Sequence, residues 1–214
     1  MGRKADPAIR ERIIEQAEHL IHLRGYNATA LDEIARCCKM TKANLFHHYG
    51  CKEDLALAVL DAKILDYQQR RVNPLCAEGD PAAAVAEMFA QAGRHFAGNG
   101  CKAGCFVANI AIEMSDVNEL FRRRTSAFFK GWSDSMAACL KKCAAGGTFA
   151  ESLDCRSAAE AIVALYEGAV LLARTHRDPS VFNRVGKMAR QLLEQHRIPN
   201  RRKTTMGPKT PCGC

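Results

Sequence analysis

Between residues 41 and 52 the chain reads Thr41, Lys42, Ala43, Asn44, Leu45, Phe46, His47, His48, Tyr49, Gly50, Cys51, Lys52. These residue types suit recognition of a charged polymer with patterned edges better than bond making. Asparagine pairs bidentately with adenine, alanine packs on a thymine methyl, and lysine neutralises phosphate. On one short helix, Lys42, Ala43, Asn44 and His47 take early or outward positions, from which side chains reach base edges in a major groove. A second chemistry belongs to thiols. Cys101 and Cys105 lie four apart, with Lys102 beside them. A helix N-terminus and a nearby cation both favour thiolate. The spacing predicts a helix from Cys101 to Met114, with both sulfurs in its first turn as candidate sensors of electrophiles or oxidants. Small buried cysteines packing like alanine are the competing reading.

Catalysis finds no comparable cluster. The sequence has no GxSxG, HExxH, phosphate loop or CxxC pair, and nothing gathers its serines, histidines and acids together. A helical enzyme acting on small reactive compounds is the alternative from another class, and the chain is expected not to be an enzyme. His19 and His22 lie three apart, but no Cys or carboxylate is arranged with them, so no metal and no cofactor are expected.

The elements that must position residues 41–52 follow from capping and periodicity. Thr29 is the predicted N-cap of a short helix, with Asp32 three residues on and Leu31, Ile34 and Ala35 forming its apolar stripe. The pattern breaks at Cys38, Lys39 and Met40. Thr41 caps the second helix, Gly50 stops it, and Lys52, Glu53 and Asp54 open a third with acids where the helix dipole favours them. Ahead of these, residues 7–24 repeat apolar positions at three and four, from Ile9 to Ile21, as a brace ending at Gly25. Two short helices joined by a tight turn make a helix-turn-helix, whose second helix enters the major groove.

With these residues in register, the stretch 29–55 resembles the DNA-binding segment of the TetR family of bacterial transcription regulators. The shared pattern is Thr29, the pair Ile34 and Ala35, then Leu45 through Tyr49 with Lys52, Glu53 and Leu55 following. The resemblance implies that Thr29, Thr41, Phe46, His48, Tyr49 and Lys52 contact phosphate or support the helices, with Leu45 and Tyr49 suited to the core. Two positions depart from the family. Lys39 stands where glycine is usual, which costs energy if its φ is positive. Phe46 replaces a common tyrosine and brings no hydroxyl to a phosphate.

The resemblance also implies an effector pocket among helices between about residues 80 and 175. Its candidate lining is Phe89, Phe106, Phe128, Trp132 and Tyr166, with Met88, Phe96 and His95 as further members and Asn109 and Glu113 supplying polarity. The run from Gly104 to Asn109 is similar to one in a branch of the family that includes electrophile- and oxidant-responsive repressors. The expected partners are double-stranded operator DNA, a second copy of the chain and a small-molecule effector of unknown identity. Dimers fit a near-palindromic site. Two helices are suited to that interface, one carrying Ala158, Ala161, Ile162, Leu165, Gly168, Ala169 and Leu172, the other Val185, Met188, Ala189 and Leu192.

Composition bounds the whole. The 214 residues suffice for a sizeable core, and no run of eighteen apolar residues predicts a membrane span. Eleven cysteines, an odd number, and an N-terminus without a secretory pattern point to reduced thiols in the cytoplasm. The net charge is +8, yet residues 1–54 contribute only +1 and residues 197–214 contribute +5. Inside the reading head, Arg36, Lys39, Lys42 and Lys52 form a stripe without acids, as phosphate contact requires. The predicted fold is all-α. An N-terminal three-helix helix-turn-helix DNA-binding module, 1–54, sits on a larger helical effector-binding and dimerisation domain, 55–197. A disordered basic tail, 198–214, carries Cys212 and Cys214, which are expected to be incidental.

Overall fold

A computed structural model describes residues 7–72 and 79–199, with nine α-helices among them and no strand. The expected tail lies, from residue 200 onward, outside the described residues. Helix α1, Pro7–Arg24, begins on a proline that suits the first turn and buries Ile13, Ala17, Leu20 and Ile21. Gly25, at φ +92°, closes it in a conformation that glycine alone adopts without strain. Helices α2, Leu31–Cys37, and α3, Lys42–His48, pack with α1 and with α4, Lys52–Tyr67, around Ile34, Leu45, Leu55 and Leu60. Helix α4 runs unbroken from the head into the second domain and continues as one π-helical turn, Gln68–Val72.

The second domain comprises α5, Pro81–Gly98, α6, Phe106–Met114, α7, Glu119–Ala145, α8, Cys155–His176, and α9, Ser180–Glu194. Asp80 caps α5, accepting the Ala82 amide, with Pro81 in the first turn. Helix α5 packs along α9, and α8 lies against α7 and α9. Their shared core is aromatic: Phe96 meets Phe182 at 4.9 Å, Phe89 meets Tyr166 at 5.4 Å, and Trp132 meets Tyr166 at 5.2 Å between ring centroids. Helices α5 and α9 come so close that a methyl on Gly186 would lie 2.7 Å from the Cβ of Phe89.

Two predicted boundaries are corrected. Thr29 does not cap α2; Ala30 holds that position, and the Thr29 hydroxyl instead donates to the Gly25 carbonyl at 2.8 Å. The helix expected from Cys101 begins at Phe106. Gly100, Cys101, Ala103 and Gly104 all have positive φ, from 55° to 82°, which no right-handed helix accommodates. Helix α7 starts at Glu119, where the Asn118 side chain accepts the amides of Leu120 and Phe121 and caps it.

Candidate DNA interface and adjoining cleft

The reading surface is held from beneath. Thr41 caps α3 through its hydroxyl, which accepts the Asn44 amide at 3.2 Å, and Leu45 at 1% exposure anchors the helix in the head's core. With that side buried, Thr41, Lys42, Ala43, Asn44, Phe46 and His47 all face solvent. The row includes Lys42, Ala43, Asn44 and His47, the four residues expected to face the groove. Lys42 pairs with the Asp32 carboxylate at 3.1 Å, an exposed contact that phosphate can displace at little cost. Arg36 and Lys39 are also exposed, so three of the four cations in the acid-free stripe are available. Lys39 has φ +53°, the conformation in which lysine is strained where glycine is not.

Other predicted contacts are placed differently. Thr29 is fully buried and Tyr49 is 5% exposed, so neither side chain lies on the face that could meet DNA. Both serve the core; Arg10 stacks on the Tyr49 ring at 4.6 Å. His48 is half-buried, its carbonyl accepting from Arg10. Lys52 is turned inward. Its ammonium sits 4.4 Å from the Tyr26 ring and donates to the Asn27 carbonyl at 3.3 Å. Desolvation by burial pulls its pKa down, and the negative charge of Glu113 partly opposes that.

The expected effector lining is largely core. Phe89, Phe106, Phe128 and Trp132 are at most 4% exposed; Phe128 and Trp132 meet each other, Phe106 meets His22 of α1, and Phe89 meets Tyr166. Asn109 donates to the Ala103 carbonyl at 2.7 Å and accepts from Arg174, so it holds a loop. Glu113 accepts the amides of Tyr26 and Asn27, so it too is spent on structure. Of that predicted lining only Tyr166 reaches open space, together with Met88 and His95. That space is a cleft of about 1420 Å³ between α1, α4 and α5, with Tyr67, Met88, Ala92 and Tyr166 as its apolar side. Its charged wall comes from α1 (Glu11, Glu15, Glu18 and His22) and from Lys63 and Asp66 on α4. Glu18 bonds His22 at 3.2 Å and Lys63 at 3.3 Å; the hydrogen bond from His22, with both nearby charges, depresses its pKa against the opposing effect of burial. A polar helix face at three-and-four spacing gives the cleft's α1 wall no signal that separates it from a solvated face.

Cys101 and Cys105 are 2% and 3% exposed, and neither lies within a helix; Cys105 is the N-cap of α6 without a side-chain cap bond. Arg177 donates to the Cys101 carbonyl at 2.7 Å. Both thiols are therefore buried, at a loop in which Cys101 and Ala103 hold left-handed backbone. No group of three or more potential metal ligands occurs among the described residues, and no helix among them is long and apolar enough to cross a membrane.

A helix-turn-helix with a solvated reading face, carried on a helical second domain, defines a DNA-binding transcription regulator of the two-domain bacterial type. Residues 13–59 match the family described as bacterial regulatory proteins, tetR family, and residues 81–188 match the C-terminal domain of LmrA/YxaF-like transcriptional regulators. The chain belongs to the TetR family; it is a transcriptional regulator and not an enzyme. It is similar to an HTH-type regulator of Lactococcus lactis encoded in the lacX 3' region, 27% identical over 80% of this chain and 86% of that one. It is 26% identical to the Escherichia coli repressor NemR over 61% of this chain and 65% of NemR. A TetR regulator from Chloroflexus aurantiacus superimposes with a TM-score of 0.80 at 26% identity, covering 89% and 96% of the two chains. The reduced form of E. coli NemR superimposes with a TM-score of 0.78 at 22% identity, covering 86% and 96%.

Proposed function

We propose that the chain is a cytoplasmic repressor that binds a near-palindromic operator as a homodimer and is released when a small molecule enters the cleft between α1, α4 and α5. The observation that carries the DNA-reading part is the solvated row Lys42, Ala43, Asn44 and His47 above a buried Leu45. Thr41, Phe46, Arg36 and Lys39 flank it as phosphate-side contacts. The module boundary falls near residue 54, inside α4, so a displacement of that helix reaches both units. NemR, a named repressor among its relatives, supports the direction of regulation.

Dimerisation is supported by an apolar face that the chain leaves open. Leu171, Leu172 and Met188 are 60%, 44% and 59% exposed, and a methyl placed on Gly168 would meet nothing within 4 Å beyond its chain neighbours and its own helix backbone. Ala161, Leu165, Val185 and Leu192 border that face half-buried, whereas Ala158, Ile162, Ala169 and Ala189 point into the chain's own core. A gel-shift on the DNA upstream of its own gene tests the reading. Binding by a dimer that weakens steeply with salt supports it; a stable monomer, or indifference to every duplex at low salt, overturns it. Leu165→Glu is expected to yield monomers with little operator affinity. Ala84→Trp, on the cleft wall, is expected to keep DNA binding and lose release by effector.

A thiol-based release is the second reading. It is supported by the loop 100–104, where Cys101 and Ala103 hold left-handed backbone at about 1–2 kcal/mol each, so the backbone beside the two buried sulfurs stores strain. Cys105→Ser that still leaves DNA on treatment with electrophiles removes this reading.

A further inference from the structure

Glu113 sits near the C-terminal end of α6, in the second domain, yet both of its oxygens belong to the reading head. One accepts the Tyr26 amide at 2.7 Å and the other the Asn27 amide at 2.6 Å. These amides lie in the turn that follows α1, so a charge-assisted pair of hydrogen bonds fixes the exit of α1 to α6. The turn is shaped for it. At Gly25 a methyl would lie 2.9 Å from Glu113 Oε2, and the backbone there is at φ +92°. The Lys52 ammonium lies over Tyr26 and on the Asn27 carbonyl, inside the same turn and in the field of Glu113. Phe121 of α7 meets the Tyr26 ring at 5.3 Å, and Met114 Sδ receives Asn27 Nδ2 at 3.9 Å.

The geometry points to Glu113 as the positioning residue that sets the pose of the DNA-reading helices from the second domain. The turn it grips leads directly into Thr29, whose hydroxyl returns to Gly25, and then into α2 and α3. The head is therefore oriented by a carboxylate that contacts no DNA, and Lys52 is committed to the same grip instead of reaching outward. The other end of α6 meets the head as well: the Gly104 carbonyl lies 3.0 Å from His22 Nε2 on α1. There the His22 ring also meets Phe106, 5.4 Å between centroids, so that end is held through side chains. The Glu113 end is a two-point grip on the backbone.

This inference rests on the DNA-reading function, and its test separates the two. In the full chain, Glu113→Gln keeps size and one acceptor but sets an amide N–H₂ against a backbone N–H. Amide exchange at Tyr26 and Asn27 is expected to accelerate by about tenfold or more, with exchange in α8 and α9 unchanged. Operator affinity is expected to fall by about tenfold, with the slope of log affinity against log salt unaltered because no phosphate contact is lost. A purely structural role would lower the melting temperature and exchange protection across the molecule. Glu113→Asp, which keeps the charge and withdraws it by one methylene, is expected to show the same local loosening and covers the case in which the Gln variant does not fold. Unchanged exchange at Tyr26 and Asn27 in either folded variant overturns the proposal, as does a loosened turn with undiminished operator affinity. If the unmodified protein binds no duplex while its Glu113→Gln form shows the local loosening, the DNA-reading function fails and the grip on the turn stands.

Discussion

The reading surface and the cleft beside it are assembled in opposite ways. The reading surface is a run of consecutive residues on one capped helix of seven residues, with a single leucine fastening it to the head. The cleft draws its walls from Pro7 to Tyr166, through α1, α4, α5 and α8, and has no local motif. A surface that meets a regular polymer needs a few side chains at fixed spacing, and a short helix supplies them. A cleft needs walls, and walls come from the packing of whole elements. The first should therefore be sensitive to side-chain identity with little effect on folding, and the second to folding itself.

The largest expected effect tests the second half of that contrast. Phe89 is fully buried against Tyr166 and Gly186, directly behind the cleft. Phe89→Ala should destabilise the chain by about 3–5 kcal/mol, because it leaves an aromatic-sized void between helices α5 and α9 that cannot close. Thermal unfolding measures it. A loss below about 1 kcal/mol would mean that this wall is loose and that the cleft is not held by the aromatic core.

Asn44 tests the first half. It is exposed and only its backbone amide is used by the cap, so Asn44→Ala should leave the melting temperature unchanged. Its cost should fall on operator binding, at about 1–3 kcal/mol, and should relax the preference at one base position. Equal losses on operator and unrelated DNA would assign Asn44 to the backbone instead.

Thr29 shows where the contrast needs sharpening. It resembles a DNA-contact or capping position in sequence, yet it is fully buried with its hydroxyl on the Gly25 carbonyl. Thr29→Val should cost about 1–2 kcal/mol in stability through the lost hydrogen bond, with the salt dependence of DNA binding unchanged. A smaller salt slope would show instead that the hydroxyl leaves the turn for a phosphate.

Much of the fold was legible because it is written in local rules. Asp80 followed by Pro81, Thr41 as a cap, and the apolar repeat of α1 each act within a turn of helix, and the structure follows them. The start of α6 was not legible. The spacing of Cys101 and Cys105 suggested a helix, whereas Arg177, 76 residues away, grips the Cys101 carbonyl in a left-handed loop. Glu113 was misassigned to an effector for the same reason. A carboxylate on an apolar helix indicates a polar partner, but nothing in its neighbourhood says that the partner is the backbone at Tyr26 and Asn27. Phe128 and Trp132 carry no mark that separates a pocket wall from a packed core, and here they are core.

The smallest effect concerns the turn between the two short helices. Lys39 adopts φ +53° where the family usually has glycine, and its side chain is exposed. Two effects compete in Lys39→Gly. Relief of the left-handed strain stabilises the folded turn by about 1–2 kcal/mol, while the added freedom of glycine in the unfolded chain returns about 0.5–1 kcal/mol of that. The net expectation is a gain between about 0 and about 1.5 kcal/mol, visible as a small rise in melting temperature. DNA binding should move the other way, since one cation of the stripe is removed, and the salt slope should drop by about one if Lys39 meets a phosphate. A rise in stability with an unchanged slope would place Lys39 beyond reach of the duplex and leave Arg36 and Lys42 as the cations that flank the reading helix. The lysine would then be a strained residue with no electrostatic return, and the turn would be the one part of the head where the local rule was broken without compensation in DNA contact.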